Sequence, residues 1–407
     1  MKKIEGKGIL SLLFFCICFC GCEKDGLQEK TRQLYIQLSM PESIHVETKA
    51  GESDPTPVLG GVEVQNVWIV QFKVNDDDNK STGSCLKALY VPQSGISKST
   101  DKNQDGLIVN LKTGSGDTDI SKFTADNSLF YVIANGNRTM LTSNGSDDAM
   151  YSLTADELAK ITESDLKAKT VPIGTSERPF VTTSPKLLTS EPFYYTPTNE
   201  GVIKVRAQMF RAFAKIRVNV TSVSPGLFTL DATGSYGTVK IYNLPKNMAT
   251  YRAGGTNEKT YPATDDVVKG AFEMTIDPIT TSSRSVSGEF YMAENLRGIG
   301  KSATQQGKNQ KENGPGSESD KLAGCTYIEL AGIYKYDPSH TDGVKVKYTF
   351  YLGGNFTNDY NIARDYSYDI TFRIAGPNSA DVRVEITDGN VAIFDEVDVI
   401  KNIIVDF

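Results

Sequence analysis

Val202–Val220 reads VIKVRAQMFRAFAKIRVNV. Its two ends alternate apolar and polar residues with period 2: Ile203, Val205 and Ala207, then Ile216, Val218 and Val220. Successive side chains of a strand point to opposite faces, so this pattern predicts strands with one buried face. Met209–Ala214 interrupts the alternation. A one-residue slip would turn every later apolar side chain to the wrong face, so a bulge or a crossover is predicted there in place of one unbroken strand.

The same reading extends both ways along the chain. Val67–Val74 (VWIVQFKV), Leu107–Leu111, Leu129–Ala134 and Phe193–Tyr195 are predicted strands before it. Val239–Tyr242, Phe272–Ile276, Glu289–Met292, Tyr327–Tyr334, Val344–Leu352 and Tyr366–Ile374 are predicted strands after it. The best helical signal is Ala155–Ile161 with Ser164–Ala168, where Thr154 or Ser152 can cap and Glu157 sits in the first turn. Strand after strand with little helix predicts an all-β chain of two antiparallel β-sandwiches in tandem. At 407 residues the chain has room for two such units. The boundary is placed in Thr196–Gly201 (TPTNEG), giving units over 50–198 and 199–407. Gly298–Lys321 has no Val, Leu, Phe or Tyr, and is predicted to be a long mobile surface loop.

The N-terminus determines the compartment. Lys2, Lys3 and Lys7 precede an apolar run, Ile9–Phe19, too short for a membrane-spanning helix and suited to a signal-peptide core. The run ends in Phe19-Cys20-Gly21-Cys22, a small residue before a cysteine, which resembles a bacterial lipobox. Residues 1–21 are therefore read as a signal peptide and Cys22 as the lipidated first residue of the exported chain. Several acyl chains on one residue anchor stably, because each buried methylene contributes about 0.8 kcal/mol. Removal of 1–21 takes away three lysines and one glutamate, so a formal charge of -7 becomes -9. Of six cysteines, only Cys85 and Cys325 lie beyond Cys22, and they read as small core residues. The expected location is the outer membrane, exposed at the cell surface.

Little in the chain points to catalysis, and it is read as a non-enzyme with no catalytic residue, no metal and no cofactor. His45 and His340 are its only histidines; His45 lies beside Ile44 and Val46 in an extended segment and His340 in an apparent turn, DPSHTDG, and both read as structural or solvated. No G-x-S-x-G, H-E-x-x-H or phosphate-binding glycine loop is present. Asp101–Gly106 (DKNQDG) matches the first half of a calcium loop, but its twelfth position is Lys112, where a bidentate acid is required. An Asx-rich turn accounts for Asp101–Asp105 better than calcium does. The acidic balance argues against a nucleic-acid partner.

The two ends of the exported chain share a pattern. Leu34, Ile36, Leu38 and Met40 alternate with polar residues in QLYIQLSM. Val397, Val399, Ile403, Val405 and Phe407 form one face of VDVIKNIIVDF, interrupted by Lys401. Each segment reads either as a strand of its own sandwich or as an occupant of one sheet groove, supplied in cis by one end and in trans by a neighbour's other end. In the second case ladder hydrogen bonds give affinity and alternate side chains give specificity.

Several stretches carry a family resemblance: Cys22-Glu23-Lys24-Asp25, VWIVQFKV, LFYVIANGN (129–137), RAFAKIRVNV (211–220) and VKIYNLPKN (239–247). FYMAENLRG (290–298), TYIELAGIY (326–334) and YTFYLGGNFTNDYNIARDYSYDITFRIAG (348–376) extend it. In these the chain resembles the fimbrillin family of Bacteroidetes-type lipoproteins, the subunits of type V pili. The resemblance implies two transthyretin-like sandwiches, lipoprotein export and proteolytic removal of a prosegment. A groove opened in this way is then filled by the C-terminal strand of the next subunit. Here the prosegment lies in 22–49 and includes Gln33–Met40, the donor lies within Val391–Phe407, and the cut matches Lys49-Ala50. The family cuts after Arg, so Lys49 departs from the pattern, and a subunit left uncut stays lipid-anchored. The partners so implied are other fimbrial subunits, a maturation protease and the outer membrane, with a host or bacterial surface ligand as a further candidate. The alternative is a monomeric lipid-anchored lipoprotein that binds a glycan or host protein.

Overall fold

A computed structural model describes residues 33–39, 58–59, 62–374 apart from several internal segments, 392–393 and 402–406. Segments outside the description include 99–106, 113–122, 230–238, 252–261, 275–284 and 375–391.

The architecture is all-β, built from packed sheets. Among the described residues the first sheet has ten strands. Its principal members are β1 (Gln33–Ser39), β2 (Asn66–Val74), β3 (Ser81–Pro92), β4 (Leu107–Lys112), β5 (Ser128–Ala134), β6 (Leu188–Ser190) and β7 (Val202–Arg211). They lie side by side in the order β4, β1, β7, β6, β5, β2, β3, with Ile96–Lys98 outside β4 and Tyr151–Ser152 outside β3. Only Gln93–Gly95 joins β3, near one end of this order, to Ile96–Lys98 at the other. Three residues reach about 10 Å, so the sheet must fold over on itself. The enclosed face carries Ile36, Leu38, Val67, Ile69, Val91, Leu107, Val109, Val132 and Ala207 in one cluster.

The opposite face of the first sheet is buried as well. Trp68, Val70, Phe72, Tyr90, Tyr131 and Ile133 project from it and meet Leu166, Met248, Tyr251, Phe213 and Tyr291. β2 is thus apolar on both sides, which explains its near-continuous hydrophobic run. Part of the cover comes from α1 (Ala155–Leu158) and α2 (Glu163–Ala168), with capping boxes at Thr154/Glu157 and Thr162/Asp165. β3 was not foreseen from the sequence. It begins inside the turn-rich NDDDNKSTGS, and pairing with β2 outweighs the local preference of Ser81–Ser84 for a turn.

β7 and β8 (Phe213–Ser222) meet at Ala212 and lie in different sheets. The broken alternation at Met209–Ala214 is therefore a crossover. β7 still pairs with β1 and β6, so the change of sheet falls one strand later than Thr196–Gly201. Turn-forming residues mark where the chain breaks, whereas strand pairing decides which sheet receives the next strand.

Among the described residues, two short ribbons pair Val58–Leu59 with Val62–Glu63 and Thr170–Pro172 with Asn247–Ala249, and the other strands form two five-stranded sheets. One contains β8, β11 (Ser285–Ala293), β14 (Tyr366–Ile374), Ala392–Ile393 and β15 (Asn402–Asp406). The other contains Phe228–Thr229, β9 (Val239–Pro245), β10 (Val267–Met274), β12 (Tyr327–Tyr334) and β13 (Val344–Tyr351). Ile216, Val218, Phe290, Ile370 and Phe372 from the first pack against Ile241, Ile328, Leu330, Tyr348 and Phe350 from the second. This is a sandwich with a continuous apolar core.

Buried charges link this sandwich to the first sheet. Arg211 ends β7, and its side chain reaches the Asp365 carboxylate at 3.4 Å, with both side chains buried. The adjacent Arg364 pairs with buried Glu294 at 3.3 Å and donates to the Thr250 carbonyl.

Gly298–Lys321 differs from its expectation. It holds α3 (Gln305–Lys308) and a 3-10 turn at Lys311–Asn313. Gly300 lies so close to the Asn313 carbonyl that an added Cβ would stand 2.3 Å from its oxygen. Lys308 is fully buried, donates to the Asn355 carbonyl at 2.5 Å, and lies over the rings of Tyr360 and Phe350. The segment is pinned by a charged residue, a role that apolar counting overlooks.

Burial pushes the Lys308 ammonium down to about 7. The unfolded chain keeps this proton to far higher pH, so the Lys308 contribution to stability grows above pH 7 and is lost as pH falls through it. The gain between pH 7 and 9 should be about 2 kcal/mol. Lys308→Met keeps the stem and removes the charge, and is expected to flatten that rise in urea-unfolding midpoints. Equal pH slopes in the two proteins would contradict the burial of the amine.

Candidate functional site

The N-terminal strand has a defined seat. β1 lies between β4 and β7, antiparallel to the first and parallel to the second. In the parallel register Ile36 faces Val205, Gln37 faces Arg206, Leu38 faces Ala207 and Ser39 faces Gln208. Period 2 then decides the rest: Ile36 and Leu38 point into the enclosed core, at 1% and 0% exposure. Gln37 lies on the other face with Arg206, whose Nε donates to the buried Ser39 hydroxyl at 2.8 Å. β1 thus combines two ladders, at least two apolar seats and one side-chain hydrogen bond.

The other expected site residues fall in three places. Leu34 lies in β1 opposite Ile203, whereas Met40 lies outside the described residues. Ile403 and Val405 lie in β15, which pairs in parallel with β14 opposite Ile370 and Phe372. Val397, Val399 and Phe407 lie outside the described residues, as do Cys22, Lys49, Ala50 and Asp101–Asp105. β15 and β1 therefore occupy different sheets within this one chain. Arg206 was not singled out from the sequence. Its signal, a basic residue opposite a polar one in a parallel ladder, exists only once register is known.

No group of three His, Cys, Asp or Glu suited to a metal ion occurs among the described residues. Cys325 is buried and Cys85 half-buried, and burial pushes both thiols up to about 12. Among the described residues no helix is long and apolar enough to cross a membrane. A separate cleft of about 640 Å³ beside α1 and α2 is lined by Thr142, Glu157, Lys160, Asp165 and Lys169, among others.

Residues 290–372 match a family described as "Domain of unknown function (DUF4906)". That span runs from β11 to β14 and includes the Arg364–Asp365 junction. No curated protein matches the chain. Among solved structures, one titled "putative cell adhesion protein" from Parabacteroides distasonis is 12% identical, with 86% of this chain and 90% of that one covered and a TM-score of 0.47. A structure with the same title from Bacteroides eggerthii is 14% identical, with 86% and 88% covered and a TM-score of 0.46. A fimbrial assembly protein from Parabacteroides distasonis is 15% identical, with 89% and 98% covered and a TM-score of 0.37. The chain is thus similar, at low identity and over most of its length, to structures titled as cell adhesion and fimbrial proteins.

Proposed function

We propose that this chain is a structural or adhesive subunit of a cell-surface fimbria, exported as a lipoprotein through Cys22 and joined to its neighbours by strand complementation. The observation that carries this reading is the seat of β1. An N-terminal strand, separated from β2 by residues that include Lys49-Ala50, occupies a slot between β4 and β7 with Ile36 and Leu38 in the core. Its loss would expose two unpaired strand edges and a row of apolar seats, a state that favours capture of another strand. The amphipathic C-terminal segment is the candidate occupant. In this reading the chain is two transthyretin-like units in tandem, and the partners are further subunits, a maturation protease and the outer membrane.

The decisive test deletes Val391–Phe407 and looks for polymers at the cell surface. The expected result is their loss, and unchanged polymerisation would refute the assembly claim. N-terminal sequencing of surface-extracted protein tests maturation separately. A start at Ala50 means cleavage after Lys49, and a retained acylated Cys22 assigns an anchoring role.

The cleft beside α1 and α2 favours a second reading, a monomeric surface lipoprotein that binds a glycan or host protein. Size-exclusion after protease treatment separates the two, because a binding module stays monomeric.

A further inference from the structure

The slot around β1 carries information about what can replace it. Ile36-Gln37-Leu38-Ser39-Met40 and Ile403-Ile404-Val405-Asp406-Phe407 share a plan: two branched apolar residues two apart, a hydrogen-bonding residue, then a large apolar one. Both strands pair in parallel, β1 with β7 and β15 with β14. Superposing the two plans puts Ile403 and Val405 at the positions of Ile36 and Leu38, opposite Val205 and Ala207, and Asp406 at that of Ser39.

Other registers fit less well. Moving the incoming strand two residues one way brings Lys401 to the buried position of Ile36, an uncompensated charge in an apolar core. Moving it two residues the other way brings Phe407 to the Leu38 position beside Ala207 and overpacks it. A shift of one residue turns Asp406 into the core. In the remaining register a carboxylate stands where Arg206 Nε now meets a hydroxyl. An ionised acceptor makes a shorter and stronger bond to a guanidinium than a hydroxyl does. Within its own chain β15 has Asp406 in register with Arg373.

We propose that the C-terminal strand of a second copy docks in this register and that Arg206 selects it by pairing with Asp406. The inference rests on the strand-complementation reading above and adds its register and its specificity contact. β1, which offers only Ser39 to Arg206, is the weaker occupant at that position, so the slot discriminates in favour of the strand that replaces it.

The test is charge reversal in full-length protein produced in cells, with surface polymer as the readout. Asp406→Arg places like charges together and is expected to reduce polymer at least about tenfold. Arg206→Asp alone is expected to do the same, and the two changes in one chain are expected to restore assembly. Emission of the buried Trp68 reports that each variant folds. Because Asp406 also lies opposite Arg373 in its own chain, Asp406→Arg is combined separately with Arg373→Asp. Rescue through Arg206 and not through Arg373 supports the proposal. Rescue through Arg373 alone, or an Asp406→Arg variant that assembles normally while deletion of Val391–Phe407 abolishes polymer, overturns it. If the deletion also leaves polymer intact, the strand-complementation reading itself has failed.

Discussion

Leu38→Ala is expected to lower the stability of the first sheet by about 3 kcal/mol, and Leu38→Asp by more. Leu38 has no exposed surface and faces Ala207 across the parallel ladder. Ala207 is too small to fill the space that a lost leucine leaves, so a cavity term adds to the lost transfer energy. Aspartate in the same seat would also bury a charge for which the surrounding Ile, Val and Leu side chains offer no partner. Trp68 makes the measurement clean. It is the single tryptophan of the chain, it is fully buried in β2, and its Nε1 donates to the Asn137 carbonyl at 3.1 Å. Its emission therefore follows the first sheet, and tyrosine signals follow both parts. An unchanged Trp68 midpoint in Leu38→Ala would mean that β1 is not held by its apolar seats. A lower midpoint would also mean that β1 leaves its slot more easily, so any replacement of β1 should speed up in this variant.

Asp365→Ala is expected to cost about 3–5 kcal/mol, because it leaves buried Arg211 without its carboxylate. The backbone adds to this. Asp365 has φ of 64°, a left-handed conformation that Asp and Asn tolerate and Ala resists. Its N–H donates to the Phe213 carbonyl at 2.8 Å and its carboxylate accepts from the Arg211 N–H, so the turn links the first sheet to the start of β8. Asp365→Asn keeps the backbone preference and an acceptor, and should cost less than half as much. Burial pushes the Asp365 carboxyl up to about 6 against the pull of Arg211. A raised carboxyl contributes stability that is complete below the unfolded value and lost as pH rises through the folded one. The difference between wild type and Asp365→Asn should therefore widen as pH falls from 7 to 5. Urea unfolding at both pH values, read by Trp68 emission and far-ultraviolet dichroism, checks this. An Ala variant as stable as the Asn variant would remove the junction role of Asp365.

Local pattern was enough to find most elements. The strand over 66–74 follows from its β-branched and aromatic content, and α1 follows from Thr154 with Glu157 three residues on. The crossover at Ala212 follows from broken alternation, since an apolar face that changes sides must change sheets or bulge. Other features had no local signal. β3 starts in residues that prefer turns. Lys308 sits in a segment with almost no apolar residues, and the Asn355 carbonyl and the aromatic rings around it, both distant in sequence, make its burial tolerable. The sheet changes one strand after Thr196–Gly201, because a linker composition marks a chain break and carries no information about pairing.

Residue order along the chain specifies that it is built of strands, that its N-terminus has the pattern of an exported lipoprotein, and that its two ends carry amphipathic segments. These are properties of period, charge and short-range chemistry, and they need no partner to be legible. Tertiary structure alone decided that β1 is seated parallel to β7 with Arg206 over Ser39, that β15 is seated parallel to β14, and that Arg211 and Asp365 meet across 154 residues of chain. Register and long-range ion pairs depend on which strands become neighbours. That choice is made by the burial of both faces of the first sheet at once, and no single segment contains it.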